Sequence, residues 1–226
     1  MVRIAVIPAR GGSKRIPKKN MISFDGKPLI HRTIRCALDS NIFDEVIVST
    51  DDPITASFAE SVGAVVPGLR EIYQDDSTPS SQVTLYELDR FSKRNKYSPD
   101  VVFQLMPTCP FRTITDLHKV NELLLDDENR SVVTCTTPIG GNIWWSATIE
   151  PNLKPIFMFP EKLNTRSQDL PRTYVPNGSI WASNVSVLEK FMSFYNPTLV
   201  FCDIPWLSGF DIDTPEDLDI ARRLIL

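Results

Sequence analysis

Continuous apolar, β-branched runs alternate along the chain with segments whose apolar positions recur every three or four residues. The stretch 3–9, RIAVIPA, is apolar without interruption and predicts a buried strand. Segment 30–40 sets Ile30, Ile34 and Ala37 on one helical face. EVIVST at 45–50 predicts a second strand, 53–62 a helix and 64–66 a short strand. Helical spacing returns over 80–93, with Val83, Leu85, Leu88 and Phe91 as its apolar set. A buried strand over 100–106 stops at Pro107, and a helix over 116–125 and a strand over 131–136 follow. This alternation predicts an α/β fold, with a mainly parallel central sheet flanked by helices and joined by right-handed crossovers.

The pattern breaks at Pro138. From there to Pro176 the chain is rich in Pro, Asn and Trp and follows no clean period. Long structureless loops are rare in compact domains, so 138–176 reads as a functional excursion or small subdomain within one domain spanning 1–226. Regularity resumes with a strand at 178–183, a helix at 185–191, a strand at 199–204 and a closing helix at 214–224. Thr214 fits the N-cap and Pro215 the first helical position, while Glu216 and Asp217 complement the positive end of the helix.

Composition narrows the class. With 226 residues, 42% hydrophobic and 23% charged, the chain suits one large globular domain. No apolar run approaches the roughly 18 residues of a membrane span. The first run ends at Ala9 without a signal-peptide pattern, so a cytoplasmic protein is expected. Cys36, Cys109, Cys135 and Cys202 are scattered, which argues against zinc or a disulfide framework. His31 and His118 are too few for a histidine metal site.

A net charge of −4 argues against a general nucleic-acid binder. Yet the stretch 7–20, IPARGGSKRIPKKN, concentrates Arg10, Lys14, Arg15, Lys18 and Lys19 directly after the first strand. Open α/β sheets bind ligands at the carboxyl ends of their strands. Gly11 and Gly12 would let backbone N–H groups approach a ligand closely, and the cations could neutralise several phosphate charges. The loop matches neither GxxxxGK[ST] nor GxGxxG. A solvated charge cluster is the plain alternative. Near the other end, Asp211 and Asp213 flank Ile212. On an extended segment both carboxylates face one way, as a Mg²⁺ site needs. The alternative for that pair is helix capping.

The basic stretch resembles the [IL]xARGGSKGIPxKN signature of the CMP-acylneuraminate synthetase (nonulosonic acid cytidylyltransferase) family. Further stretches fit in order: FDEVIVSTDD (43–52), LREIYQDDSTPSSQV (69–83), MPTCPFR (106–112), RSQDLPRTYVPNGSIW (166–181) and DIDTPEDL (211–218). The resemblance spans nearly the whole chain. It implies a nucleotide-diphospho-sugar-transferase-like fold, a homodimer, Mg²⁺ or Mn²⁺, and transfer from CTP to a nonulosonic acid with release of pyrophosphate.

Residue by residue, it implies a triphosphate site of Arg10, Gly11, Gly12, Ser13, Lys14 and Lys19, with Asn20 beside the nucleotide. Arg70 and Ser80 would read the base, or Ser81 in place of Ser80, because the segment is one residue shorter than the common pattern. Asp211 and Asp213 would hold the metal and, with Arg10 and Lys19, carry the chemistry. The sugar would meet Arg166, Asn177 and Trp181. Met106 stands where the family has a sugar-contacting Gln, and Gln104 lies two residues earlier on the same strand face; either could take that place. The excursion 138–176, with Trp144 and Trp145, would serve dimerisation and sugar binding. CMP-Kdo synthetase shares the fold and is the alternative enzyme. A non-catalytic nucleotide-binding regulator is the alternative class, against which the retained Asp211/Asp213 pair argues.

Overall fold

The computed structural model describes the chain apart from residues 76, 77, 140 and 226. Asp76 and Ser77, within the expected base-reading stretch, and Gly140, within the excursion, therefore lie outside the described residues. The chain begins with strand β1 (Arg3–Pro8), the basic loop, a small hairpin of β2 (Ser23–Phe24) and β3 (Lys27–Pro28), and helix α1 (Ile30–Asp39). Strand β4 (Glu45–Ser49), helices α2 (Pro53–Val62) and α3 (Ser80–Asn95), strand β5 (Val101–Leu105), helix α4 (Ile114–Leu125) and strand β6 (Ser131–Thr136) follow. The excursion contributes a second hairpin, β7 (Ala147–Ile149) with β8 (Pro155–Phe157). Strand β9 (Val175–Asn184), helix α5 (Val185–Phe191), strand β10 (Leu199–Asp203) and helix α6 (Pro215–Arg223) complete the chain.

Six strands form one sheet in the order β10-β6-β9-β5-β1-β4. β1 pairs in parallel with β4 and β5, and β6 with β10, whereas β9 is antiparallel to both its neighbours. Five strands thus run one way and β9 the other. The start of β9 consequently meets the carboxyl ends of β5 and β6. The expected strand at 64–66 is reduced to a single bridge between Val65 and Ile47.

Both faces of the sheet are buried, which explains why its strands read as continuous apolar runs. On one face, Ala5, Ile7, Phe103, Leu105 and Ile180 pack against Ile30 and Ile34 of α1 and Leu117 and Val120 of α4. On the other, Ile4, Val6, Ile47 and Val102 pack against Leu88 and Phe91 of α3 and Leu188 of α5. A third cluster ties the chain's two ends together: Ile16 of the basic loop packs with Phe24, Leu29, Ile212, Leu218 and Ala221.

Local signals set the helix boundaries. Asp52 caps α2, accepting from the Thr55 N–H at 2.9 Å, and Gly63 ends it at φ 104°. Capping boxes open α4 (Thr113 with Asp116) and α6 (Thr214 with Asp217). The turn from β5 into α4 is clamped by Arg112, which is 5% exposed. Its Nε donates to the Ser179 carbonyl at 2.7 Å, Nη2 to the Met106 carbonyl at 2.8 Å and Nη1 to Thr33 Oγ1 at 3.2 Å. Removing this guanidinium strands buried carbonyls, each costing about 1–3 kcal/mol. Arg112→Met should therefore lower unfolding free energy by about 3 kcal/mol. Arg112→Lys, with one point donor in place of a fork, should recover only part of that loss. Urea denaturation of the three proteins measures both effects; wild-type stability in Arg112→Met would show that the clamp is dispensable.

Candidate active site

The basic loop leaves β1 at the carboxyl edge of the sheet and arches over it. Asn20, 8% exposed, donates from Nδ2 to the Arg10 carbonyl at 2.9 Å and so closes the loop on itself. Lys18 takes a left-handed conformation at φ 53° at the start of the short 3₁₀ turn Lys19–Met21. Gly11 is required by a close approach: a Cβ there would come within 2.9 Å of Asp52 Cβ. Its N–H is already given to Asp51 Oδ1 at 2.8 Å. The expectation that both glycines turn N–H groups toward a ligand is thereby corrected at Gly11, whose N–H anchors the loop to the end of β4. Gly12 is exposed and has open space around it.

Beside the loop lies an open cleft of about 790 Å³. Arg10, Ser13, Lys14, Arg15, Lys19 and Asn20 line one side. Ser80 and the turn Met106–Thr108 contribute the floor, and Pro176, Asn177, Gly178 and Trp181 the start of β9. Asp211 and Asp213 line it from the C-terminal segment. Residues far apart in sequence thus converge on one cleft, which both carboxylates line.

The two aspartates differ in environment. Asp213 Oδ1 accepts from Lys19 Nζ and Arg15 Nη2, each at 3.2 Å. The same ammonium donates to the Ile212 carbonyl at 2.8 Å. Asp213 does not cap α6: that role belongs to Thr214, and the Asp213 N–H donates to Asp217 Oδ2 at 3.0 Å. Asp211 is more enclosed, and its Oδ1 is buried without a hydrogen-bond partner. Burial pushes its carboxyl pKa above the ordinary value, and Asp213 adds to the rise, while a Thr108 hydrogen bond, Lys19 and Arg112 oppose it. Gly178 makes room for this carboxylate, because a Cβ there would sit 3.1 Å from Asp211 Oδ2.

An orphaned buried carboxylate oxygen beside a second carboxylate fits a hard divalent cation. Among the described residues no cluster of three or more His, Cys, Asp or Glu side chains could hold a metal by itself. Two carboxylates would therefore need completion by phosphate oxygens and water, the usual arrangement for Mg²⁺.

Of the remaining expected residues, Arg70, Ser81, Gln104 and Arg166 do not line the cleft, whereas Ser80, Met106, Asn177 and Trp181 do. Arg70 is 2% exposed and donates from Nη1 to Ser49 Oγ at 3.2 Å, with its Nε unpartnered. Gln104 is fully buried behind Ser80 and does not line the cleft, whereas Met106 does. Ser81 is buried on α3, and Ser80 lines the cleft. Arg166 precedes the 3₁₀ turn Ser167–Asp169 in the excursion and does not line this chain's own cleft. Asn177 spends Oδ1 on Thr134 Oγ1 at 2.7 Å and on the Ser179 N–H, leaving Nδ2 buried without a partner. Trp181 Nε1 donates to the Asn177 carbonyl at 2.7 Å, leaving its ring to line the cleft. Sequence reasoning assigned no site role to Thr108 or Arg112. Both lie inside the MPTCPFR stretch, and a polar residue there was the available signal.

Among the described residues, no helix is long and apolar enough to cross a membrane. Comparison with solved structures finds the same fold in a CMP:2-keto-3-deoxy-manno-octonic acid synthetase complexed with CTP, at TM-score 0.71 and 20% identity over 100% of this chain and 98% of that one. A 4-diphosphocytidyl-2C-methyl-D-erythritol synthase from Anaerococcus prevotii matches at TM-score 0.65 and 17% identity, over 98% and 97% of the two chains. At the sequence level, a pseudaminic acid cytidylyltransferase from Campylobacter jejuni is 33% identical over 99% of this chain and 96% of its own length. A CMP-N,N'-diacetyllegionaminic acid synthase from Legionella pneumophila is 36% identical over 98% and 95%. The profile of the cytidylyltransferase family matches residues 4–143, which include the basic loop, Ser80 and the 106–112 turn. The chain belongs to the cytidylyltransferase family.

Proposed function

We propose that the protein transfers the cytidylyl group of CTP to the anomeric hydroxyl of a nonulosonic acid, giving a CMP-sugar and pyrophosphate. The observation that carries this reading is the convergence of Arg10, Ser13, Lys14 and Lys19 with Asp211 and Asp213 on one cleft. The relatives named for pseudaminic and legionaminic acids supply the sugar class. Arg10, Lys14 and Lys19 would grip the triphosphate, and Asn20 would hold the loop in shape around it. Charge accumulates on the departing pyrophosphate, so fixed cations there lower the barrier more than they stabilise bound CTP. Asp211 and Asp213 would hold a divalent cation, Mg²⁺ or Mn²⁺, whose contribution is charge neutralisation at the phosphates. Ser80, on the cleft floor, would face the base. Met106, Asn177 and Trp181 would bound the sugar. We place the reaction in the cytoplasm, where CTP is made.

We read the excursion as a dimerisation element. Its hairpin exposes Ile149 (71%), Leu153 (82%) and Ile156 (52%), apolar surface that a second copy could cover. Arg166, remote from its own chain's cleft, would then serve the partner's cleft, where a guanidinium suits the sugar carboxylate.

Two outcomes test these assignments. Asp211→Asn and Asp213→Asn should each lower kcat by at least ~10²-fold and raise the metal concentration needed for half-maximal rate. Melting temperature should stay near wild type for Asp213→Asn, because the capping box does not use that side chain. Normal turnover at saturating Mg²⁺ would remove both residues from the metal site. The second outcome concerns the dimer. Arg166→Ala and Asp211→Asn should each be inactive alone, and mixed dimers should regain activity through one cleft made of intact parts from both chains. No recovery in verified mixed dimers would place Arg166 in its own chain's function or in none.

A further inference from the structure

Gln104 is absent from the cleft surface, yet its amide is wired to a residue that is present there. Thr84 Oγ1 lies 2.7 Å from Gln104 Oε1, an atom that can only accept, so the threonine hydroxyl donates. The Gln104 Nε2 faces two acceptors, Ser80 Oγ at 2.9 Å and Met106 Sδ at 3.8 Å. The opposite amide orientation would set a carbonyl oxygen against the thioether sulfur and would turn the Thr84 proton from a partner at 2.7 Å to the Ser80 carbonyl at 3.5 Å. Thr84 and Gln104 are both fully buried, so no water competes for these groups. These distances favour one polarity: Thr84 donates to Gln104, and Gln104 donates to Ser80. Ser80 Oγ accepts from behind and keeps its own proton for the cleft that it lines.

We infer that Gln104 is a positioning residue for base selection: it holds Ser80 as a hydrogen-bond donor and so favours cytosine over uracil. Ring nitrogen N3 is an acceptor in cytosine and carries a proton in uracil. A serine free to rotate meets either equally, whereas one that already accepts from Gln104 has one of its two lone pairs occupied and its proton directed away from that bond, which favours the acceptor. The inference rests on the reading of Ser80 as the residue facing the base.

Equilibrium binding of CTP, UTP and inorganic pyrophosphate to wild type, Gln104→Leu and Gln104→Glu tests it by calorimetry. Wild type should prefer CTP to UTP. In Gln104→Leu the serine is released, and that preference should fall roughly tenfold, the worth of one well-placed hydrogen bond. In Gln104→Glu the carboxylate accepts a hydrogen bond from the Ser80 O–H, which turns an oxygen lone pair to the cleft, so UTP should gain affinity as CTP loses it. Pyrophosphate affinity should stay unchanged in both, which general damage to the site would not allow. An unchanged CTP/UTP ratio in either folded variant overturns the role of Gln104, and so does a wild type that binds both nucleotides equally. If wild type binds no CTP, the function reading falls first and this inference with it.

Discussion

Asp213 holds the chain's opening loop against its closing segment. Lys19 reaches both the Asp213 carboxylate and the Ile212 carbonyl, and Arg15 takes the same carboxylate oxygen. The Arg15 pair is exposed and contributes little to stability, since such surface pairs are worth about 0–1 kcal/mol. The Lys19 side chain is only 13% exposed and is further fixed by its carbonyl contact. Beneath both, Ile16, Ile212, Leu218 and Ala221 share one apolar cluster, whose burial keeps the two segments in place. Division of labour follows. Apolar packing fixes where the ends meet, and the charged groups above it are left to respond to a ligand. In the proposed reaction a triphosphate would compete for the cations that face Asp213, and a divalent cation for the carboxylate that they release.

The floor of the cleft is held by polar groups that solvent does not reach. Arg112 clamps the Met106 turn and the Ser179 carbonyl. The Ile212 N–H donates to the Thr108 carbonyl at 2.9 Å, tying the aspartate segment to the same turn. Thr134 donates to Asn177 and receives the Ile180 N–H. Nearly every such group has a partner, as buried polar atoms must. Two of the exceptions among the described residues lie at the proposed site: Asp211 Oδ1 and Asn177 Nδ2, an acceptor and a donor on cleft-lining residues, stay unpaired, while Arg3 Nε, Arg70 Nε, Asn121 Oδ1 and Ser179 Oγ are unpaired away from its surface. Unpaired buried groups are costly in a bare protein and are satisfied when a ligand supplies what they lack.

How much of this the amino-acid order discloses depends on whether the signal is local. Helix α2 is readable to the residue because Pro53 starts it and Gly63 stops it, and the start of α6 is readable because Thr214 and Pro215 mark its first turn. The direction of β9 is not readable: a strand buried on both faces has the same pattern whichever way it runs. The short strand at 64–66 shrinks to one bridge, Val65 with Ile47. Site residues divide in the same way. Loop cations and the paired aspartates are visible as charge out of place in an acidic chain. Burial is not visible, so Gln104 and Arg70 look like ligand contacts in sequence, whereas in the fold both are buried and neither lines the cleft. Gly11 is legible as a tight approach, but the approach is to Asp52.

The central claim is that the cleft between the basic loop and the aspartate pair joins a sugar hydroxyl to the α-phosphorus of CTP. Phosphorus NMR of the protein with CTP, Mg²⁺ and a nonulosonic acid carrying heavy oxygen in its anomeric hydroxyl tests that most directly. Pyrophosphate and a phosphodiester should appear together in equal amounts, and the isotope shift should place the heavy oxygen in the bridge between sugar and phosphorus. CTP left intact across pseudaminic, legionaminic and neuraminic acids would contradict the account, as would a phosphodiester whose bridging oxygen is unlabelled.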